Sequence, residues 1–113
     1  MQVIKEKGQT FEIDEDGFLT DPERWNEKIA GIIAAREGIE DLTEDKLTIL
    51  KFLRDYYQEY DAFPILNYVC KYTEQPRGCV NEEFINPMKA WKIAGLPKPG
   101  VIQTEALRSE ERL

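Results

Sequence analysis

From Thr43 to Tyr60 the chain reads TEDKLTILKFLRDYYQEY, and this stretch most restricts what the molecule can become. Leu47, Leu50, Phe52, Leu53, Tyr56, Tyr57 and Tyr60 fall at helical spacing, which predicts an amphipathic helix with a broad apolar face. Thr43 is placed to cap it, and Glu44 and Asp45 set negative charge against the positive end of the helix dipole. Such a helix has little stability alone, because most of it comes from burying the apolar face. The chain is therefore committed to a core built from helices, with this one at its centre.

The surrounding sequence supplies the partners. Asp21-Pro22 predicts a second helix, with Asp21 as cap and Pro22 in the first turn, where a missing N–H costs nothing. It should run to about Arg36, with Trp25, Ile29, Ile32 and Ile33 on one face and Gly38 as its stop. After a turn at Asp61-Ala62, Pro64 should open a shorter helix carrying Ile65, Leu66, Tyr68, Val69 and Tyr72, broken at Pro76 and Gly78. Asn81 is a candidate cap for a short turn, NEEFIN, and Pro87 should open a last helix ending at Gly95. Upstream, QVIKE and TFEI alternate around KGQ, which predicts a small β-hairpin lying against the helices.

The expected fold is thus mainly α (α+β): a compact helical domain over residues 1–95 with a small N-terminal hairpin, followed by an extended C-terminal arm over residues 96–113. In the arm, Pro97 and Pro99 enforce an extended path, and only a weak amphipathic pattern follows. A chain of 113 residues suits one domain with a real core. The 42% hydrophobic and 33% charged content is that of a soluble globular protein. No apolar run approaches the ~18 residues that a bilayer demands, and the N-terminus lacks the apolar core of a signal peptide, so a cytoplasmic location with no membrane contact is expected. In a reducing compartment Cys70 and Cys79 should be free thiols rather than a staple. No metal or other cofactor is implied, since two thiols without a histidine make a poor zinc site.

Charge argues against nucleic acid as a partner. The net charge is −7, and residues 1–60 carry eight Lys/Arg against fifteen Asp/Glu, the reverse of what phosphate neutralisation requires. The helix-turn-helix outline of LTILKFLRDYYQEYDAFPILNYVCKY remains as an alternative reading, that of a DNA-binding regulator. Its second helix offers only Asn67 and Lys71 as polar contacts, with Glu59, Asp61 and Glu74 close by. With no histidine in the chain, Ser/His and Cys/His nucleophilic catalysis are unavailable. No phosphate-cradling glycine loop is present either, so an enzyme is not expected.

Three segments carry a more specific signal: DEDGFLTDPERWNEKIA, LTEDKLTILKFLRDYYQEYDAFPILNYV and KIAGLPKP. In this order they resemble the DsrC/TusE family of sulfur-relay proteins, the gamma-subunit type of dissimilatory sulfite reductase. The resemblance implies a helical domain with an N-terminal hairpin and a C-terminal arm. It also implies a protein partner of sulfur metabolism, of the sulfite-reductase or sulfurtransferase type. In that family a cysteine a few residues past the GLPKP-like segment carries sulfur, and DsrC proper has a second one just before that stretch. Here the upstream position is Trp91, and after Pro99 the chain reads GVIQTEALRSEERL, without cysteine.

Sulfur relay needs a thiolate that can form a reversible S–S bond with a partner, and no residue of this tail supplies one. The chain is therefore most similar to DsrC-like paralogues without arm cysteines, for which the resemblance implies a regulatory or accessory role through protein contacts. The arm residues Gly95, Leu96, Pro97, Lys98, Pro99, Val101 and Ile102 become the expected partner-binding element, with Leu107 as a further apolar contact. Trp91 is the expected anchor, or else a core residue filling the groove that the arm crosses. Cys70 reads as a buried structural cysteine. Cys79, in PRGCVNEE beside Arg77, is the candidate reactive thiol, and a sulfur carrier using Cys79 is the alternative function.

Overall fold

The computed structural model describes residues 1–98. Strands β1 (Gln2–Glu6) and β2 (Gln9–Ile13) pair antiparallel, with Gln2 opposite Ile13 and Glu6 opposite Gln9. The two-residue connection Lys7-Gly8 has positive φ at both positions, 49° and 76°. That is the conformation whose twist matches a hairpin. Ile4, Phe11 and Ile13 turn inward and are buried, so the hairpin gains its stability from the helices beneath it.

The helix expected from Asp21 to Arg36 is two elements. A 3-10 turn, Pro22–Arg24, is capped by Asp21. The chain then extends at Trp25, and α1 (Glu27–Arg36) starts afresh with the Asn26 side chain accepting from the Ile29 N–H at 2.8 Å. Asn offers the backbone a local acceptor that competes with helix continuation, and the break frees the Trp25 side chain from the α1 face. Helix α2 (Glu44–Tyr60) opens at Thr43 as expected and ends at Asp61 in the left-handed conformation. Helices α3 (Leu66–Tyr72), α4 (Cys79–Phe84) and α5 (Pro87–Ile93) follow. Asn81 lies inside α4, whose N-terminal neighbour Gly78 has φ 85°; the cap at this end of the chain is Asn86, on α5.

Helices α2 and α5 share the centre: α5 packs on α1, α2 and α4, and α2 on α3, α4 and α5. The core is continuous from Ile4 and Phe11 of the hairpin through Ile33, Leu50, Val69 and Phe84 to Ile93. Leu96, beyond α5, is also buried in it. Three helices end on the same device. In α1, α3 and α5 the N–H two residues past the cap returns to a carbonyl of the last turn: Ile39 to Ala34, Gln75 to Cys70, and Leu96 to Trp91. Gly38, Glu74 and Gly95 supply the left-handed residue, with φ of 86°, 57° and 71°.

Candidate functional site

The point where the chain leaves α5 is built by residues far apart in sequence. The Schellman turn satisfies the carbonyls of Trp91 and Lys92, which leaves those of Ile93 and Ala94 to be met from outside the helix. The Trp25 indole Nε1–H donates to Ile93 O at 2.8 Å, and the Arg54 guanidinium donates to Ala94 O at 2.9 Å and to Pro22 O at 3.0 Å. Arg54 also stacks over the Trp25 ring at 4.6 Å. Its planar fork can span the 3-10 turn and the α5 terminus at once, and burial lowers its pKa below the usual arginine value.

Gly95 packs directly against this pair. A Cβ added there would lie 2.4 Å from Trp25 Cδ1, so glycine is required by contact as well as by its positive φ. Past it, Leu96 and Pro97 line a cleft of about 430 Å³ with Pro22, Arg54, Tyr57 and Asp61. The Tyr57 phenol has its pKa raised there, first by burial and then by the Asp61 carboxylate. Lys98 leaves the cleft toward the Asp14–Phe18 turn and pairs with Asp16. This hydrogen bond and charge pairing lower the Asp16 pKa and raise that of Lys98. On α5, Lys89 donates to Glu37 O and Lys92 pairs with the Glu37 carboxylate at 3.2 Å, tying the helix to the end of α1.

Of the expected site residues, the structure places Gly95, Leu96, Pro97 and Lys98 together at this root. Pro99, Val101, Ile102 and Leu107 lie outside the described residues. Trp91 is fully buried in α5, with its ring 4.6 Å from that of Phe63. Its Nε1–H has no hydrogen-bond partner among the described residues, so its part in this region is core packing, plus the carbonyl that receives Leu96.

The expectation for the cysteines is corrected. Cys79 is not on an open loop beside Arg77: it begins α4, is 2% exposed, and is joined by a disulfide to Cys70, itself 1% exposed. Cys70 is buried as expected, but as half of that bridge. The reason is local geometry. Cys70 lies on the inner face of α3 with Leu66 and Val69, and the left-handed Glu74 and Gly78 fold α4 back across it. The two Cα atoms are then 5.7 Å apart, within the ordinary disulfide range.

Neither Trp25 nor Arg54 is a site residue by sequence alone: the apolar spacing puts Trp25 on a helix face. Arg54 does carry a signal: it falls on the same side of α2 as Leu50 and Tyr57, an apolar face where a charge needs a partner.

Among the described residues, a hairpin laid on five helices, with the end of the last helix held by two side-chain donors, defines a small helical domain. Residues 5–102 match the family described as DsrC like protein. The chain belongs to that DsrC-like family of sulfur-relay proteins, which includes the TusE type. It is 39% identical over 101 residues to the gamma subunit of dissimilatory-type sulfite reductase from Nitratidesulfovibrio vulgaris, covering 88% of this chain and 96% of that one. It is 35% identical over 106 residues to sulfurtransferase TusE from Pectobacterium atrosepticum, covering 86% and 96%. Among solved structures it resembles dissimilatory sulfite reductase I (DsrI), with TM-score 0.78 and 36% identity over 88% of this chain and 97% of the other. It also resembles the oxidized gamma-subunit (DsrC) from Archaeoglobus fulgidus, with TM-score 0.75 and 32% identity over the same shares. No helix among the described residues is long and apolar enough to cross a membrane.

Proposed function

We propose that this protein is a regulatory or accessory member of its family, which binds a protein partner of sulfur metabolism and does not carry sulfur on its tail. The observation that carries this reading is the placement of its thiols. The sequence has two cysteines, both buried and bonded to each other, and residues 96–113 contain none. A relay residue must be an accessible thiolate, and neither sulfur meets that condition. The partner-binding element in this reading is the segment from Gly95 to Ile102, whose first residues are held at the root by Trp25 and Arg54. Partners of the sulfite-reductase or sulfurtransferase type are suggested by the names of the relatives.

A persulfide donor tests it. Each transferred sulfur adds about 32 Da, and the expected mass spectrum shows no stable adduct on the native protein. The relatives named sulfurtransferase favour a second reading, in which Cys79 is a carrier once the pair is reduced. A stoichiometric adduct on dithiol-treated protein, abolished by Cys79→Ser and not by Cys70→Ser, would establish that reading in place of the first.

A further inference from the structure

The outer face of α2 and α3 carries a cluster of aromatic rings, in which Phe52 packs against the core and Tyr60, Tyr68 and Tyr72 face outward. Phe52 lies 4.8 Å from Tyr72 and 6.0 Å from Tyr68, and Tyr56 lies 4.6 Å from Tyr60. Tyr60, Tyr68 and Tyr72 remain 59%, 47% and 65% exposed. A connected aromatic surface of this kind is a candidate interaction site. Its α2 margin is anionic, while Lys71, three residues after Tyr68, adds one exposed cation on the α3 side. Asp55 and Glu59 follow Phe52 by three and seven residues, on the same side of α2, and neither forms a salt bridge among the described residues.

We propose that this face docks an arginine-bearing segment of a partner protein. Ring faces attract cations through their quadrupole, and a guanidinium can stack on tyrosine while its edge forks to a carboxylate. Tyr56 with Glu59, and Phe52 with Asp55, each three residues apart on α2, offer both elements at one place. The net charge of −7 draws cationic partners at longer range. A second copy of this chain would bring two acidic margins into one interface, and nucleic acid would set phosphates against Asp55 and Glu59. The face is separate from the arm root, so this inference does not depend on the role of the tail.

The probe is an N-acetylated, C-amidated peptide of alternating glycine and arginine, titrated into the full chain and followed through tyrosine ring resonances. Saturable shifts are expected at Tyr60, Tyr68 and Tyr72, with affinity about threefold above that of the glycine–lysine counterpart. Tyr60→Ala and Tyr72→Ala should each weaken binding by roughly fivefold. The double variant Asp55→Asn, Glu59→Gln, which touches no core residue, should weaken it by a similar factor and flatten its salt dependence. Shifts spread over the acids of residues 1–60 without the tyrosines, or equal affinity for lysine and arginine, would overturn the proposal. So would ring shifts that depend on protein concentration without peptide, which would mark a second copy as the occupant, or ring shifts produced by duplex DNA.

Discussion

Single atoms decide how the chain leaves its last helix. Gly95→Ala would place a methyl group 2.4 Å from Trp25 Cδ1 at a φ of 71°. We expect a loss of roughly 2–4 kcal/mol from crowding and left-handed strain together, measured by urea denaturation. Trp25→Phe keeps most of the ring but removes the donor to Ile93 O, and should cost about 1–2 kcal/mol. Glu74→Gly should act in the opposite direction. Its φ of 57° is natural to glycine and strained for glutamate, so relief of strain outweighs the added freedom of the unfolded chain, and a gain of roughly 0.5 kcal/mol is expected. The pairing of Asp16 with Lys98 responds to pH at both extremes. The Asp16 pKa is lowered below 3.8, so its contribution is present above that value and lost as pH falls through the lower folded value. The Lys98 pKa is raised above 10.5, so its contribution is present below that value and lost as pH rises through the higher folded one. Both side chains are exposed, so the effect should register in the Lys98 side-chain resonances rather than in the melting temperature.

At the scale of elements, α4 depends most on a covalent link. It has six residues, and no side chain caps its N-terminus, so its own hydrogen bonds hold it weakly. The bond from Cys79 to Cys70 spans nine residues and closes a short loop in the unfolded chain, which on the entropy account stabilises the fold by about 2.5 kcal/mol. Reduction with a dithiol, or the double substitution Cys70→Ser, Cys79→Ser, should lower stability by that order. Amide exchange should quicken first in residues 79–84, while α1, which is joined to the core without this link, stays protected. Uniform exchange along the chain after reduction would show that α4 is held by Val80 and Phe84 packing alone.

For the whole molecule, the described core ends at Leu96, so removal of residues 100–113 should leave the fold and the melting temperature almost unchanged. In the proposed function the same truncation weakens capture of the partner; unchanged capture would move the binding surface to the helices. The acidic excess also bears on the helix-turn-helix alternative. Binding to duplex DNA should be weak and should vanish with modest salt. A sequence-specific complex that survives physiological ionic strength would establish α2 and α3 as a reader.

Local chemistry is the part of this fold that reads directly from residue order. The hairpin follows from alternation around Lys7-Gly8, α2 from the Thr43 cap and its apolar spacing, and the end of α5 from Gly95 and Pro97, because each depends on residues within a few positions of one another. The break at Trp25 and Asn26 was less legible, since a helix and a 3-10 turn followed by a fresh cap share the same apolar period. The cysteine bridge was not legible, and of the arm root only Arg54 left a mark, as a charge on the apolar side of α2. Cys70 meets Cys79 through two left-handed residues, one of which is a glutamate that no turn preference would choose. The root joins Trp25, Arg54 and Gly95, whose meeting depends on how α2 and α5 pack. Satisfying the last carbonyls of α5 is a demand every helix makes, but which side chains answer it is settled by packing over dozens of residues, and residue order marks at most that Arg54 needs a partner, not which one.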